Sequence, residues 1–457
     1  MKQGQAMNAK TTAIIVAAVP AFLTPFMGSA INVALPPIGR EFGIDAILLG
    51  WVATSYLLTA GIFSLPFGRV ADIKGTKKIF VVGLLIYTLG SLLSAIAPSA
   101  ELLIVFRAVQ GLGVSMDFAT RMAILTSVFP PTERGKAIGI NIGFTYTGLS
   151  LGPFIGGFLT QNLGWRSIFF INVPFGFLAL ILALWRLKGE WAGAKGEKFD
   201  LVGSMIYGFM LLLAIYGLTE SAMIFLLVGL VLLIAFVIYE SKVEYPVFEI
   251  ELLRRNLTFS LSSVAALLNY SATFAVAFLL SLYLQYIKGF TPQQAGLILV
   301  AQPIVMAVFA PFAGWLSDRI EPRVVASIGM AVTTLSLLIF SGINEDTSIG
   351  ALITSLILLG FGLGLFGSPN TNAIMGSVEK KYFGIASATV ATMRLIGQIL
   401  SMALVMLVFS ILMGKVEITP ERYSLLIESI NISFKIFTAL CFIGIFASLG
   451  RGRLRRP

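Results

Sequence analysis

Gly68-Arg69-Val70-Ala71-Asp72-Ile73-Lys74-Gly75-Thr76-Lys77-Lys78 is a short charged interruption between two long apolar runs. A second stretch, Gly314-Trp315-Leu316-Ser317-Asp318-Arg319, ends another apolar run further along the chain. Gly68 and Gly314 are 246 residues apart, and so are Asp72 and Asp318. A repeat of that period in 457 residues implies two similar halves with extra sequence between them. Parallel six-helix repeats are an established transporter plan, with the substrate held near the bilayer midplane between the halves.

The sequence around these stretches is that of a membrane protein. Hydrophobic residues make up 57% of the chain and charged residues 12%; soluble domains carry about 25% charged residues. The apolar residues come in runs of roughly 18 to 25, the length that crosses about 30 Å of hydrocarbon as a helix. Backbone groups in lipid must be satisfied within the segment, which selects helices. The alternating ten-residue segments of a membrane β-barrel are not seen. Fourteen spans are predicted: 12–35, 47–68, 79–97, 102–126, 136–160, 167–186, 200–219, 222–240, 258–287, 293–316, 324–341, 349–375, 382–413 and 430–450. The chain divides into a six-helix half at 1–188, two inserted helices with charged flanks at 189–256, and a second six-helix half with a basic tail at 257–457. The first apolar run lacks a cleavage pattern and reads as a spanning helix.

The 32 Lys and Arg residues follow this alternation. Twenty-three fall on the side holding the termini, five on the other, and four (Arg107, Arg121, Arg394 and Lys435) inside spans. The positive-inside rule then makes both termini cytoplasmic, and the expected location is the inner membrane of a prokaryote. The net charge of +10 is accounted for by topology, and nucleic acid is not an expected partner. The chain has no histidine, and Cys441 is its one cysteine. Intramolecular disulfides, histidine-based metal sites and catalytic triads are therefore excluded, and proton handling falls to Asp, Glu, Lys, Tyr or water. No Gly-x-x-x-x-Gly-Lys-Ser/Thr loop is present, so ATP is not the expected energy source and no cofactor is expected.

The loop at 68–78 resembles the signature loop of the major facilitator superfamily. Arg107-Ala108-Val109-Gln110-Gly111-Leu112-Gly113 resembles its fourth-helix signature, and Gly148-Leu149-Ser150-Leu151-Gly152-Pro153-Phe154-Ile155-Gly156-Gly157 its antiporter-associated fifth-helix signature. Asn32-Val33-Ala34-Leu35-Pro36, Ser368-Pro369-Asn370-Thr371-Asn372 and Thr392-Met393-Arg394-Leu395-Ile396-Gly397-Gln398 are similar to stretches of the fourteen-helix drug:proton antiporters. The resemblance covers essentially the whole chain. It implies proton-coupled export of lipophilic or amphipathic compounds by a monomer that alternates access to a central site. Two positions depart from the pattern: Met27 stands where many relatives carry a first-helix carboxylate, and Thr76 stands where the signature loop has arginine.

Asp117 is the position of most chemical interest. A carboxylate near the middle of a span costs about 2.5–3.5 kcal/mol or more, so it is rarely kept without a partner or a use. Arg121 follows one turn later, and Arg107 falls on the same face within about 80°. If the Asp117–Arg121 pair separates in one conformation, the orphaned carboxylate takes up a proton; where the pair re-forms, the proton leaves. The other readings are a permanent structural pair, or an Arg121 that binds an anionic group. For Arg107 the readings are proton handling, by resemblance, or bonding to carbonyls of neighbouring helices. A single buried acid offset by an arginine makes a dication-selective pocket improbable and favours neutral, zwitterionic or lipid-like substrates.

Gly148, Gly152, Pro153, Gly156 and Gly157 read as a hinge and packing motif, since small residues allow close helix approach. Gly68, Arg69, Asp72, Gly75, Lys77 and Asp318 read as gate-loop residues, with Asp72 pairing to nearby basic residues or a helix N-terminus. Asn269, Tyr270, Gln302, Asn370, Asn372 and Arg394 are candidate cavity-lining positions, although buried amides also bridge helices. Lys435, placed within about 8 Å of a helix end, is expected to snorkel, and Glu220 to be a loop acid. The alternative function is export or flipping of one endogenous metabolite or lipid. A non-transporting sensor and a membrane enzyme are disfavoured by the intact gate and hinge motifs.

Overall fold

The structure is a computed structural model and describes residues 2–379 and 382–452. Fourteen helices are long and apolar enough to cross a membrane. They are α1 Lys10–Phe42, α2 Ala46–Lys74, α3 Thr76–Ala95, α4 Ala100–Val128, α5 Thr132–Leu163, α6 Ser167–Trp185 and α7 Leu201–Thr219. The remainder are α8 Met223–Glu240, α9 Leu257–Ile287, α10 Pro292–Ser317, α11 Pro322–Phe340, α12 Ile349–Gly376, α13 Phe383–Leu412 and α14 Pro420–Gly450. No strand forms among the described residues; the one β-bridge joins Asp45 and Glu417. The predicted basic residues Lys380 and Lys381, and the tail beyond 452, lie outside the described residues.

Every predicted span is present, and several helices run past their apolar runs. α1 stays helical through Pro20, Pro25, Pro36 and Pro37. The last span begins at 420 rather than 430, because the polar segment around Glu428 lies on an exposed helix face. That moves Lys435 about twelve residues, or 18 Å, from the start of its regular helix at Tyr423. The residue is exposed. Polar caps set other boundaries: Asp45 accepts from Ile47 N and Leu48 N at 2.8 Å, and Thr291 with Gln294 forms a reciprocal capping box at the start of α10.

Helices α1–α6 form one half and α9–α14 the other, and the halves meet through α1, α2 and α5 against α9, α10 and α13. Their close contacts gather on the far side, away from the termini. Ser281 Oγ donates to Asn32 O at 2.6 Å, Gln285 Nε2 to Val33 O at 2.9 Å, and Arg40 to Gln285 O at 3.0 Å. Towards the termini the halves part. A side chain built at Gly139 or Gly143 of α5, Gly367 of α12 or Gly384 of α13 would meet nothing within 4 Å. The result is a cleft closed on the far side and open on the terminus side.

The inserted pair α7–α8 packs at the edge of this seam, α7 against both α2 and α13. Only 17% of the α8 window is buried within the protein; the face with Gly229 and Phe236 packs on α7 and most of its other apolar residues are exposed. Glu220, expected to be a simple loop acid, instead joins the halves. Its Oε1 accepts from Trp51 Nε1 of α2 at 3.3 Å, and its Oε2 pairs with Lys415, beyond α13, at 2.8 Å. That hydrogen bond holds the Lys415 ammonium above the ordinary lysine range. Sequence spacing does not reveal the contact, because its three residues are far apart along the chain.

Candidate functional site

The charged stripe of α4 is buried within the protein. Asp117 is 3% and Arg121 7% exposed, and Arg121 Nη1 stands 3.5 Å from Asp117 Oδ2. The two attract as an ion pair but share no hydrogen bond. Both Asp117 oxygens, and Arg121 Nε and Nη1, are buried without a hydrogen-bond partner. Ordinary buried ion pairs survive desolvation through good geometry and further hydrogen bonds. This one lacks them, which makes it easier to separate than a fully bonded pair.

Arg107 shares the face but not the site. Ten residues before Asp117, it donates through Nε to Val52 O at 3.1 Å and through Nη1 to Gln110 Oε1 at 2.6 Å. Its guanidinium lies 4.2 Å from the Tyr56 ring centre. Gln110 continues to Ser91 Oγ at 2.8 Å. Arg107 thus ties α4 to α2 and, through Gln110, to α3, in keeping with the reading that it bonds to a carbonyl of a neighbouring helix. Tyr56 lies within electrostatic range of Arg107, Asp117 and Arg121, and Tyr87 donates to Asn172 Oδ1 at 3.1 Å beneath them. The sequence reading missed both tyrosines; polar tips on otherwise apolar helices were the available signal. Met27, in place of the family carboxylate, is fully buried in the apolar core.

The second half meets this site at Phe118. The Arg121 guanidinium lies 5.7 Å and the Arg394 guanidinium 6.0 Å from the centre of that ring. Tyr146 of α5 is within electrostatic range of Arg394 and of Tyr270 on α9. Two of the cavity candidates, Arg394 and Tyr270, thus lie near each other together with Phe118 and Tyr146, which the sequence reading did not name. Gln302 is half-buried in α10, where Gly360 of α12 packs on its backbone. Asn269 is fully buried with neither amide atom partnered.

Two of the cavity positions are corrected. Asn370 donates to Ser262 O at 3.1 Å and accepts from Arg451 at 2.5 Å, so its amide is consumed in tying α12 to α9 and to the end of α14. Asn372 is exposed and donates to Ser317 Oγ at 2.6 Å, which places it beside the second-half loop at Asp318 rather than in the central cavity. Both lie near the terminus-side end of α12, beyond reach of the centre.

The gate loop also finds different partners. Arg69 pairs with Glu197 of the linker that precedes α7 and lies 5.8 Å from the Tyr245 ring of the linker that follows α8. Asp72 contributes its backbone, accepting from Ala194 N at 3.0 Å, while its side chain is exposed. The expected Asp72 latch to basic residues is therefore replaced by an Arg69–Glu197 latch. Thr76, the departure from the family arginine, donates through N and Oγ1 to Trp191 O at 2.8 and 2.9 Å. Lys77 N donates to Glu190 at 2.8 Å, and Gly68 packs near Ala119 of α4. Gly75 has φ +118 with Glu190 against it, a conformation that favours glycine. Arg69→Gln and Glu197→Gln are each expected to cost about 1 kcal/mol or less, as a partly exposed pair does. In thermal melts the double variant should be no worse than either single one; additive losses would show that the two do not act on each other.

The glycine motif of α5 serves two faces. A Cβ at Gly148 would lie 2.2 Å from Phe22 O, and one at Gly156 2.7 Å from Ala30 Cβ, so these pack α5 on α1 within the half. Gly152 approaches Ser29 in the same way. A Cβ at Gly157 would instead lie 2.6 Å from Pro292 O, and one at Gly296 2.1 Å from Pro153 O. Gly157 and Pro153 therefore form the far-side seam between the halves.

A family model described as Major Facilitator Superfamily matches residues 18–239 and 262–456. The riboflavin transporter RibZ of Clostridioides difficile is 30% identical over 97% of this chain and 98% of its own length. The multidrug resistance protein Stp of Mycobacterium tuberculosis is 31% identical over 82% of this chain and 71% of its own. Among solved structures, the peptide transporter POT in complex with alafosfalin superposes with a TM-score of 0.74 at 15% identity, covering 100% of both chains.

Proposed function

The chain belongs to the major facilitator superfamily, and from that premise we propose that it is a proton-coupled exporter of lipophilic organic compounds. It works as a monomer by alternating access in a prokaryotic cell membrane, with both termini cytoplasmic and no cofactor beyond the proton gradient. It is a multi-pass membrane transporter and not an enzyme.

The observation that carries the coupling step is the Asp117–Arg121 pair, buried yet lacking hydrogen bonds. Tightening of the pair favours the ionised carboxylate, and separation favours the protonated one. The cleft open on the terminus side loads substrate from the cytoplasm, and rocking of the halves carries it across. Relatives such as Stp support the drug-export reading. Full-length similarity to a riboflavin transporter supports a second reading, in which a single metabolite is moved.

The test is dye flux in proteoliposomes under an imposed pH gradient. Flux should follow the gradient and stop with a protonophore. Flux that ignores the gradient would sink the coupling, and absence of flux for every dye would leave the metabolite reading.

A further inference from the structure

We propose that Arg394 and Phe118 bind a planar aromatic compound bearing an acidic group, so that aromatic weak acids rather than lipophilic cations are the preferred substrates. This rests on the transporter reading above and narrows its substrate.

The argument begins with charge. Around Phe118 the structure gathers one carboxylate, Asp117, and two guanidinium groups, Arg121 from the first half and Arg394 from the second. Asp117 is paired with Arg121 at 3.5 Å, whereas Arg394 has no ion pair among the described residues. Arg394 is the twelfth residue of α13, well inside the span. A lone cation at that depth is costly, and such residues mark substrate paths. The centre thus carries an uncompensated positive charge.

A cationic substrate would meet like charge in a poorly solvated cleft, and the Phe118 ring face it would seek already has two guanidinium groups near it. An acidic substrate meets the opposite conditions. A guanidinium binds a carboxylate or sulfonate through paired hydrogen bonds. Arg394 is half-buried, while Asp117 is 3% exposed and faces Arg121. An aromatic body fits beside Phe118, Tyr146 and Tyr270, all half-buried around the same arginine. One arginine with rings from both halves gives a site that a flat acid would bridge.

The test is equilibrium binding to the purified full-length protein in nanodiscs, read by tryptophan quenching. Three anthracene probes of matched shape are used: the 9-carboxylate, the neutral 9-methyl compound and the cationic 9-aminomethyl compound. The carboxylate should bind at least about tenfold more tightly than the cation. Arg394→Gln should bring the carboxylate to the level of the methyl probe, and Arg394→Lys should restore part of the preference. Phe118→Leu should weaken all three alike. Equal binding of the three probes to the wild type, or an intact preference in a folded Arg394→Gln, overturns the proposal. Binding is read without flux, so failure here is distinct from failure of proton-coupled export.

Discussion

Asp117→Asn is expected to abolish transport driven by an imposed pH gradient, by at least about tenfold, while substrate binding and substrate exchange persist. An amide closely matches a protonated acid in shape, so the variant holds the site in its proton-bound form and cannot cycle. It also strands Arg121, a cation 7% exposed with unpartnered nitrogens. Removing one member of a buried pair typically costs about 3–5 kcal/mol, so the melting temperature should fall too. Adding Arg121→Gln separates the two roles. If Asp117 couples protons, the double variant regains stability and remains uncoupled. A double variant that regained both would make the pair purely structural.

Gly157→Leu and Gly296→Leu should each shift the protein away from the conformation closed on the far side. The Cβ overlaps at these positions fall on backbone oxygens, of Pro292 and Pro153, which no rotamer change relieves. Overpacking of this kind costs about 1–3 kcal/mol. Paid only in the closed state, that cost moves the open-to-closed ratio by about 5- to 150-fold. Spin labels at Gln161→Cys and Gln293→Cys, on the far ends of α5 and α10, would report it as a longer distance population. Cys441 is buried and should not take the label. Gly148→Val is the contrasting variant: its overlap with Phe22 O lies within one half, so it should lower the melting temperature and leave the label distance unchanged. A distance that ignores Gly157→Leu would show that this seam does not gate the far side.

The latch and the seam give the inserted pair α7–α8 a place in this cycle. On the far side Glu220 joins α2 to the loop beyond α13. On the terminus side the flanking linkers hold Arg69 and Thr76 of the gate loop. The hairpin and its linkers thus contact the halves on both sides of the fold.

The sequence by itself determined the architecture. Lipid leaves a backbone little choice but helix, so fourteen apolar runs became fourteen spans. The 246-residue repeat fixed the two halves, and the cost of charge in hydrocarbon singled out Asp117 and Arg121, which the fold buries side by side. Tertiary structure alone decided the partners. Arg69 went to Glu197 rather than to Asp72, Asn370 to Arg451, Arg107 to Val52, and Arg394 to the ring of Phe118. Helical periodicity states which residues share a face of one helix. Which face of which other helix lies opposite depends on how whole helices pack, and that information is spread over contacts distant in the chain. Glycines 156 and 157 show the limit most plainly: they are adjacent in sequence, yet one packs within a half and the other across the seam between the halves.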